Sequence, residues 1–152
     1  MADNIRYVHT NLIARDWKRL SQFYIDAFGC KPVGPERDLS GEWLERLTMI
    51  KGAKIRGVHL LLPGNGDGPT LEILQYYPEK TRESGQQINA PGFGHIAFHV
   101  DDVERVTEKV IVHGGAMFGE VVRKEYAELG LLTAAYVRDP EGNVLELQNW
   151  KK

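Results

Sequence analysis

The chain has 152 residues, the size of one domain or of two small modules sharing a core, and its single cysteine, Cys30, excludes an intrachain disulfide. The 19 lysines and arginines against 21 aspartates and glutamates give a net charge of −2, which leaves no basic excess for a nucleic-acid backbone. No stretch approaches the roughly 20 apolar residues of a membrane span, and the N-terminus lacks a signal-peptide pattern. We therefore expect a cytoplasmic protein that binds neither nucleic acid nor membrane.

The first half of the chain predicts one long helix and four strands. Asp16 stands where a helix N-cap is needed, and the apolar residues that follow recur at helical spacing until Gly29. Two prolines limit the second strand to a short or edge position, and a helical turn with a loop fills residues 41–54. The last two strands form an antiparallel hairpin around a Gly- and Pro-rich turn at residues 63–69. The predicted strands are 5–12, 31–37, 56–62 and 70–77.

Residues 79–92 are charged, polar and without a sustained period, which is typical of a connector. The second half then repeats the order of the first. Asp101 or Asp102 caps a helix that a pair of glycines ends, and the turn at residues 139–143 joins the last two strands. The predicted strands of this half are 94–100, 117–123, 132–138 and 144–150.

The repeat extends to individual residues. His9 is followed by Asp16 and, three positions later, by an arginine. His95 is followed at the same offsets by Asp102 and an arginine. We therefore predict an α+β fold built from one ancestral unit used twice, as two βαβββ modules in a single domain. The expected limits are residues 1–152 for the domain, about 5–78 for the first module and about 93–150 for the second.

Each unit offers a histidine in its first strand and a glutamate in its last, on the face opposite the apolar residues. Neutral imidazoles and carboxylates together suit one divalent ion such as zinc, nickel, cobalt, manganese or iron. Taken singly, each residue is more typical of a solvated sheet face than of a metal ligand, but recurrence in both copies favours a metal site. The candidate ligands are His9, Glu72, His95 and Glu146.

Other polar and aromatic residues carry weaker hypotheses. Asn11 shares the face of His9 and could hydrogen-bond a substrate or the surroundings of the metal, with simple solvent exposure as the alternative. His99 is interpreted as a cleft or surface residue. The residues assigned to structure or packing are His59, His113, Trp43, Tyr126 and Tyr136.

These motifs together resemble the vicinal-oxygen-chelate superfamily, which includes glyoxalase I, methylmalonyl-CoA epimerase, extradiol dioxygenases and the fosfomycin- and bleomycin-resistance proteins. The resemblance covers nearly the whole chain and implies paired βαβββ modules whose curved mixed sheets form a metal-binding cleft, often in a homodimer. The motifs that carry it are His9 with its strand and helix, Leu71-Glu72, the stretch 94–98, and the turn 139–143 before Leu145-Glu146-Leu147.

Within the superfamily, the ligand order His, Glu, His, Glu is similar to that of glyoxalase I, whereas the epimerase has Gln at the position of Glu72. This implies a metal-dependent lyase or isomerase that transfers a proton through an enediolate on a small substrate with adjacent oxygens. Glu146 is the first choice of base and Glu72 the second. Residues 73–78 differ from the Asn-Trp-Gly stretch that helps glyoxalase I to hold glutathione. The alternatives are an acyl-CoA epimerase, a non-catalytic small-molecule binder of the bleomycin-resistance kind and an extradiol dioxygenase.

Overall fold

The computed structural model describes residues 4–64, 66–82 and 87–152, and the chain divides into two compact units, Met1–Thr81 and Arg82–Lys152. Residue 65 of the expected turn and residues 83–86 of the expected connector lie outside the described residues. The mixed α+β class predicted from the sequence is confirmed, with one sheet in each unit. The predicted single domain and its module limits stay predictions. No helix among the described residues has the length and apolar character needed to cross a membrane.

The first unit contains a four-stranded sheet of order β1-β4-β3-β2, with β1 parallel to β4 and the remaining pairs antiparallel. The second unit contains a five-stranded sheet of order β5-β9-β8-β6, with β7 also pairing with β8 and with β5 parallel to β9. The elements of the first unit are β1 (His9–Ile13), α1 (Trp17–Phe28), β2 (Lys31–Ser40), α2 (Glu42–Thr48), β3 (Lys54–Leu61) and β4 (Thr70–Tyr77). Those of the second are β5 (Ile96–His99), α3 (Val103–Val112), β6 (Ala116–Met117), β7 (Val122–Tyr126), β8 (Gly130–Arg138) and β9 (Val144–Lys151).

The two longer helices, α1 and α3, begin where the sequence places their caps. The side chain of Asp16 accepts a hydrogen bond from the backbone N–H of Arg19 at 3.0 Å, and Asp102 accepts one from the N–H of Arg105 at 2.9 Å. Gly29 ends α1 with φ of 71°, a conformation that costs glycine little. Both helices pack on their own sheet, α1 on β3 and β4 and α3 on β8 and β9. Fully buried side chains of these cores include Leu20, Tyr24, Leu60, Leu71, Ile73, Val103, Val137, Leu145 and Leu147.

Three predicted strands require correction, one of them the strand expected over 94–100, because β5 covers only Ile96–His99 and leaves His95 just before it. The first strand was expected over 5–12, but β1 begins only at His9, because the register partner of His9 is Thr70, the first residue of β4. Val8, which lies inside the expected strand, falls outside β1 and is 58% exposed. The strand expected over 117–123 is instead two short strands, β6 and β7, and residues 118–121 between them, which include Gly119, belong to neither. The edge position predicted for the second strand is confirmed by β2.

Candidate metal centre

In the first unit, Glu72 lies between two imidazoles on the polar face of the sheet. Nε2 of His9 is 3.6 Å from Oε1 of Glu72, and Nε2 of His59 is 2.8 Å from Oε2. The two imidazole rings meet edge to face, with centroids 5.4 Å apart. One ligand atom from each of the three residues lies within 4.8 Å of the others. Two imidazoles and one carboxylate at this spacing could hold a divalent ion.

Strand pairing explains why these side chains meet. His59 on β3 is the register partner of Glu72 on β4, so the two side chains leave the sheet side by side on one face. The neighbours of Glu72 along the strand, Leu71 and Ile73, point to the other face and are fully buried. Because side chains alternate along a strand, the carboxylate of Glu72 lies on the face opposite these buried apolar residues.

The imidazole of His59 has a partner on each nitrogen, since Nδ1 lies 2.8 Å from Oγ1 of Thr70. Burial is the largest cause that lowers the pKa of His59, with Arg37 and His9 acting in the same direction and the attraction of Glu72 opposing them. The neutral ring therefore donates its Nε2–H to Glu72, because a carboxylate can only accept. Nδ1 is then left to accept the hydroxyl proton of Thr70.

The second unit repeats half of this arrangement. Glu146 on β9 is paired with Ala97 on β5 and with Tyr136 on β8. Nε2 of His95, which directly precedes β5, lies 2.9 Å from Oε2 of Glu146. The ring of Tyr136 packs edge-on against the imidazole of His95, with centroids 5.2 Å apart. Burial and then the charge of Glu146 raise the pKa of the Tyr136 hydroxyl, which therefore stays protonated at neutral pH.

The two units thus present equivalent pairs. In the first, the histidine stands two residues before Asn11, the register partner of Glu72. In the second, the histidine stands two residues before Ala97, the register partner of Glu146. The structure therefore brings the predicted ligands together as His9 with Glu72 and His95 with Glu146. The sharing of one ion by all four residues stays a prediction.

The structure gives specific contacts for three other residues that the sequence analysis singled out. His59 was treated as structural, yet it contacts Glu72 directly. The signal for it was its place between the buried Val58 and Leu60, which puts it on the polar face. Asn11 donates a hydrogen bond from Nδ2 to the main-chain carbonyl of Glu72 at 3.1 Å, which links β1 to β4. A contact between Asn11 and a substrate stays a prediction. Tyr136 packs as expected, but against the imidazole of His95 as well as Phe118.

Comparison with known proteins identifies the family. A model described as the Glyoxalase/Bleomycin resistance protein/Dioxygenase superfamily matches residues 6–147, and the chain belongs to this superfamily. The family resemblance read from the sequence is thereby confirmed.

Relatives with assigned activities are distant. The Arabidopsis thaliana lactoylglutathione lyase GLX1 is 26% identical over 145 residues, which are 95% of this chain and 44% of that protein. This chain therefore spans less than half the length of that relative. A probable lactoylglutathione lyase from Synechocystis is 25% identical over 140 residues, which are 92% of each chain.

Solved structures with the same fold are also found. A glyoxalase family protein from Bacillus cereus superposes with a TM-score of 0.83 at 19% identity, covering 99% of this chain and 97% of that one. The fosfomycin resistance protein FosX from Listeria monocytogenes, solved with Mn(II) and sulfate, has a TM-score of 0.51 at 18% identity, with coverage of 98% and 93%. These similarities establish the glyoxalase-like fold.

Proposed function

We propose that the protein is a metal-dependent lyase or isomerase of the glyoxalase type, acting on a small substrate with adjacent oxygens. The observation that carries the proposal is the repeated histidine–glutamate pair, with Nε2 and Oε2 2.9 Å apart in the second unit. A surface of independently placed polar residues would seldom repeat the same residue types at the same register positions. The distant lactoylglutathione lyases add support for chemistry of this class.

The donor set fits a divalent ion. Two histidines and two glutamates supply nitrogen and oxygen atoms, which suit nickel, zinc, cobalt, manganese or iron, and the one cysteine of the chain is buried. The proposed ligands are His9, Glu72, His95 and Glu146. An ion bound there would supply Lewis-acid polarisation of the substrate's adjacent oxygens.

The protein's own part in the reaction is a proton transfer. The carboxylate of Glu146 accepts the proton from the substrate carbon beside the oxygens, becomes a carboxylic acid and returns the proton to the neighbouring carbon. Glu72 is the second choice for this role. The side chains of Glu146 and Glu72 are 21% and 17% exposed, which leaves both reachable by a small molecule while limiting the surrounding water.

The experiment has two arms. Metal content of the purified protein is measured first, and we expect one divalent ion per chain, bound through the four proposed ligands. The loaded protein is then screened against hemithioacetals and against 2-substituted acyl thioesters. Turnover of a hemithioacetal supports the lyase, whereas turnover of only the thioesters redirects the proposal to epimerisation. Protein that binds no ion and turns over neither class would refute it.

A further inference from the structure

Glu72 and Glu146 stand at equivalent positions in their sheets, but the residues opposite them differ. The register partner of Glu72 on the neighbouring antiparallel strand is His59, and that of Glu146 is Tyr136. His59 lies 2.8 Å from the carboxylate of Glu72. The hydroxyl of Tyr136 forms no hydrogen bond with Glu146 in the part of the chain that the structure describes. The two carboxylates are therefore held unequally.

The contact to Glu72 comes from a fixed donor. β3 is paired on both sides, with β2 and β4, so its backbone cannot shift independently. The side chain of His59 is 16% exposed, and Thr70 holds its other nitrogen at 2.8 Å. The chain of contacts from Thr70 through His59 to Glu72 thus sets both the tautomer and the orientation of the ring.

The two carboxylate oxygens of Glu72 therefore have different contacts. Oε2 of Glu72 is occupied by the N–H of His59, while Oε1 faces His9 at 3.6 Å. A carboxylate held in this way offers one oxygen to an ion. Rotation of the carboxylate would break its hydrogen bond to His59, because the imidazole ring is fixed and cannot move with it. Among the described residues of the second unit, His95 is the one histidine that contacts Glu146.

We propose that His59 is a positioning residue that fixes Glu72 as a one-oxygen metal ligand, whereas Glu146, held by His95, has no such donor among the described residues of its antiparallel neighbour strand. The inference rests on the proposed function, because it concerns the ion that Glu72 would bind. The role of His59 explains why Glu72 and Glu146 are held differently, although the sequence repeat places them at equivalent positions. The role is carried by a hydrogen bond, because both nitrogens of His59 already have partners, Nδ1 with Thr70 and Nε2 with Glu72.

The test uses Co²⁺ as probe, titrated into the metal-free 152-residue chain and followed by its visible absorption bands, which report ligand geometry. His59→Leu removes the donor, and His59→Gln can restore a donor near the position of Nε2. Tyr136→Phe is the matched control at the equivalent position of the second sheet. We expect His59→Leu to weaken Co²⁺ binding about 10- to 100-fold and to shift the bands. His59→Gln should recover most of both, and Tyr136→Phe should match the unmodified protein.

The outcomes separate this inference from the proposed function. Unchanged affinity and bands in His59→Leu would overturn the positioning role while leaving the metal site standing. Equal loss in the Leu and Gln variants would also overturn it, in favour of direct ligation by His59. Failure of the unmodified protein to bind Co²⁺ would refute the proposed function and this inference together. If circular dichroism shows His59→Leu to be unfolded, Thr70→Val decides: weaker binding supports the role, and unchanged binding contradicts it.

Discussion

Oε2 of Glu146 lies 2.9 Å from Nε2 of His95. Tyr136, the residue opposite Glu146 on β8, packs its ring against the same imidazole. The carboxylate is thus aligned by one histidine without a second donor from the facing strand. Glu146→Gln should therefore keep its place in the sheet and lose the ability to accept a proton. We expect a fall in turnover of about 10²–10⁴-fold with a much smaller loss of metal.

Glu72→Gln is the matched control for that variant. It should retain metal and more turnover than Glu146→Gln, because Glu72 acts in the first place as a ligand. Turnover, metal content and incorporation of solvent deuterium at the substrate carbon are measured for both. Full turnover in Glu146→Gln, or conversion without any exchangeable proton, would move the dioxygenase and binding alternatives ahead.

Removal of either histidine should lower metal occupancy without unfolding the protein. His9 stands in β1 and His95 directly before β5, and the two sheets carry buried residues such as Leu71 and Leu145. We expect His9→Ala and His95→Ala each to lose metal by more than about tenfold, while far-ultraviolet circular dichroism stays unchanged. Metal content equal to that of the unmodified protein in both variants would rule out the proposed ligand set.

Cys30 should behave as an inert buried thiol. Its side chain is 2% exposed, and burial, partly opposed by a backbone hydrogen bond, raises the pKa of the thiol from 9.0 to about 11. At pH 8 the folded protein should therefore react with a disulfide reagent at least about 100-fold more slowly than the unfolded protein. Cys30 is the single cysteine of the chain, so the reaction has one source.

The same shift predicts a stability change with a definite sign. Between pH 9.0 and about 11 the folded protein keeps a proton that the unfolded chain has lost. Stability from this group is therefore fully present below pH 9.0 and is lost as the pH rises towards 11. Denaturant unfolding of the unmodified protein and of Cys30→Ala measures it. Identical losses in the two proteins over this window would show that the thiol does not contribute.

We expect the protein to be a homodimer. β1 is an edge strand of its sheet, and the apolar residues beside it are open to solvent, with Ile5 86%, Tyr7 63% and Val8 58% exposed in the single chain. A soluble protein rarely leaves such a strip uncovered. Light scattering at micromolar concentration should give twice the 17.2 kDa chain mass, and replacement of Tyr7 by aspartate should weaken the association. A mass of one chain would contradict the expectation.

The sequence could predict the pairs of the candidate site because they depend on simple regularities. Alternation places His9, Glu72, His95 and Glu146 on the polar faces, and the repeat assigns them to equivalent strands. The contact of His59 with Glu72 could not be predicted in this way. It depends on the register of the β3–β4 hairpin, and a shift of one position would put Ile73 opposite His59 and turn Glu72 away. The long turn between these strands does not fix that register by its own residues.

Strand ends were missed for a similar reason. The start of β1 is set by its partner strand. β4 begins at Thr70, opposite His9, and the residues before His9 receive from it only the hydrogen bond from the N–H of Thr70 to the carbonyl of Val8. The gap between β6 and β7 depends on which residues of β8 lie opposite them. Local propensity carries little information about either, because both depend on how the strand pairs with its neighbour, and residues 118–121 lie opposite only two residues of the continuous β8.

The parallel pairing of β1 with β4, and of β5 with β9, joins the first strand of each unit to its last. No tight turn can connect parallel neighbours, so all the intervening chain serves as the crossover between them. During synthesis on the ribosome, His9 cannot meet Glu72 until residue 72 has emerged, and His95 likewise cannot meet Glu146 until residue 146 has emerged. Such long-range closure comes late in folding. Neither pair can therefore capture an ion on a growing chain before its own sheet is complete.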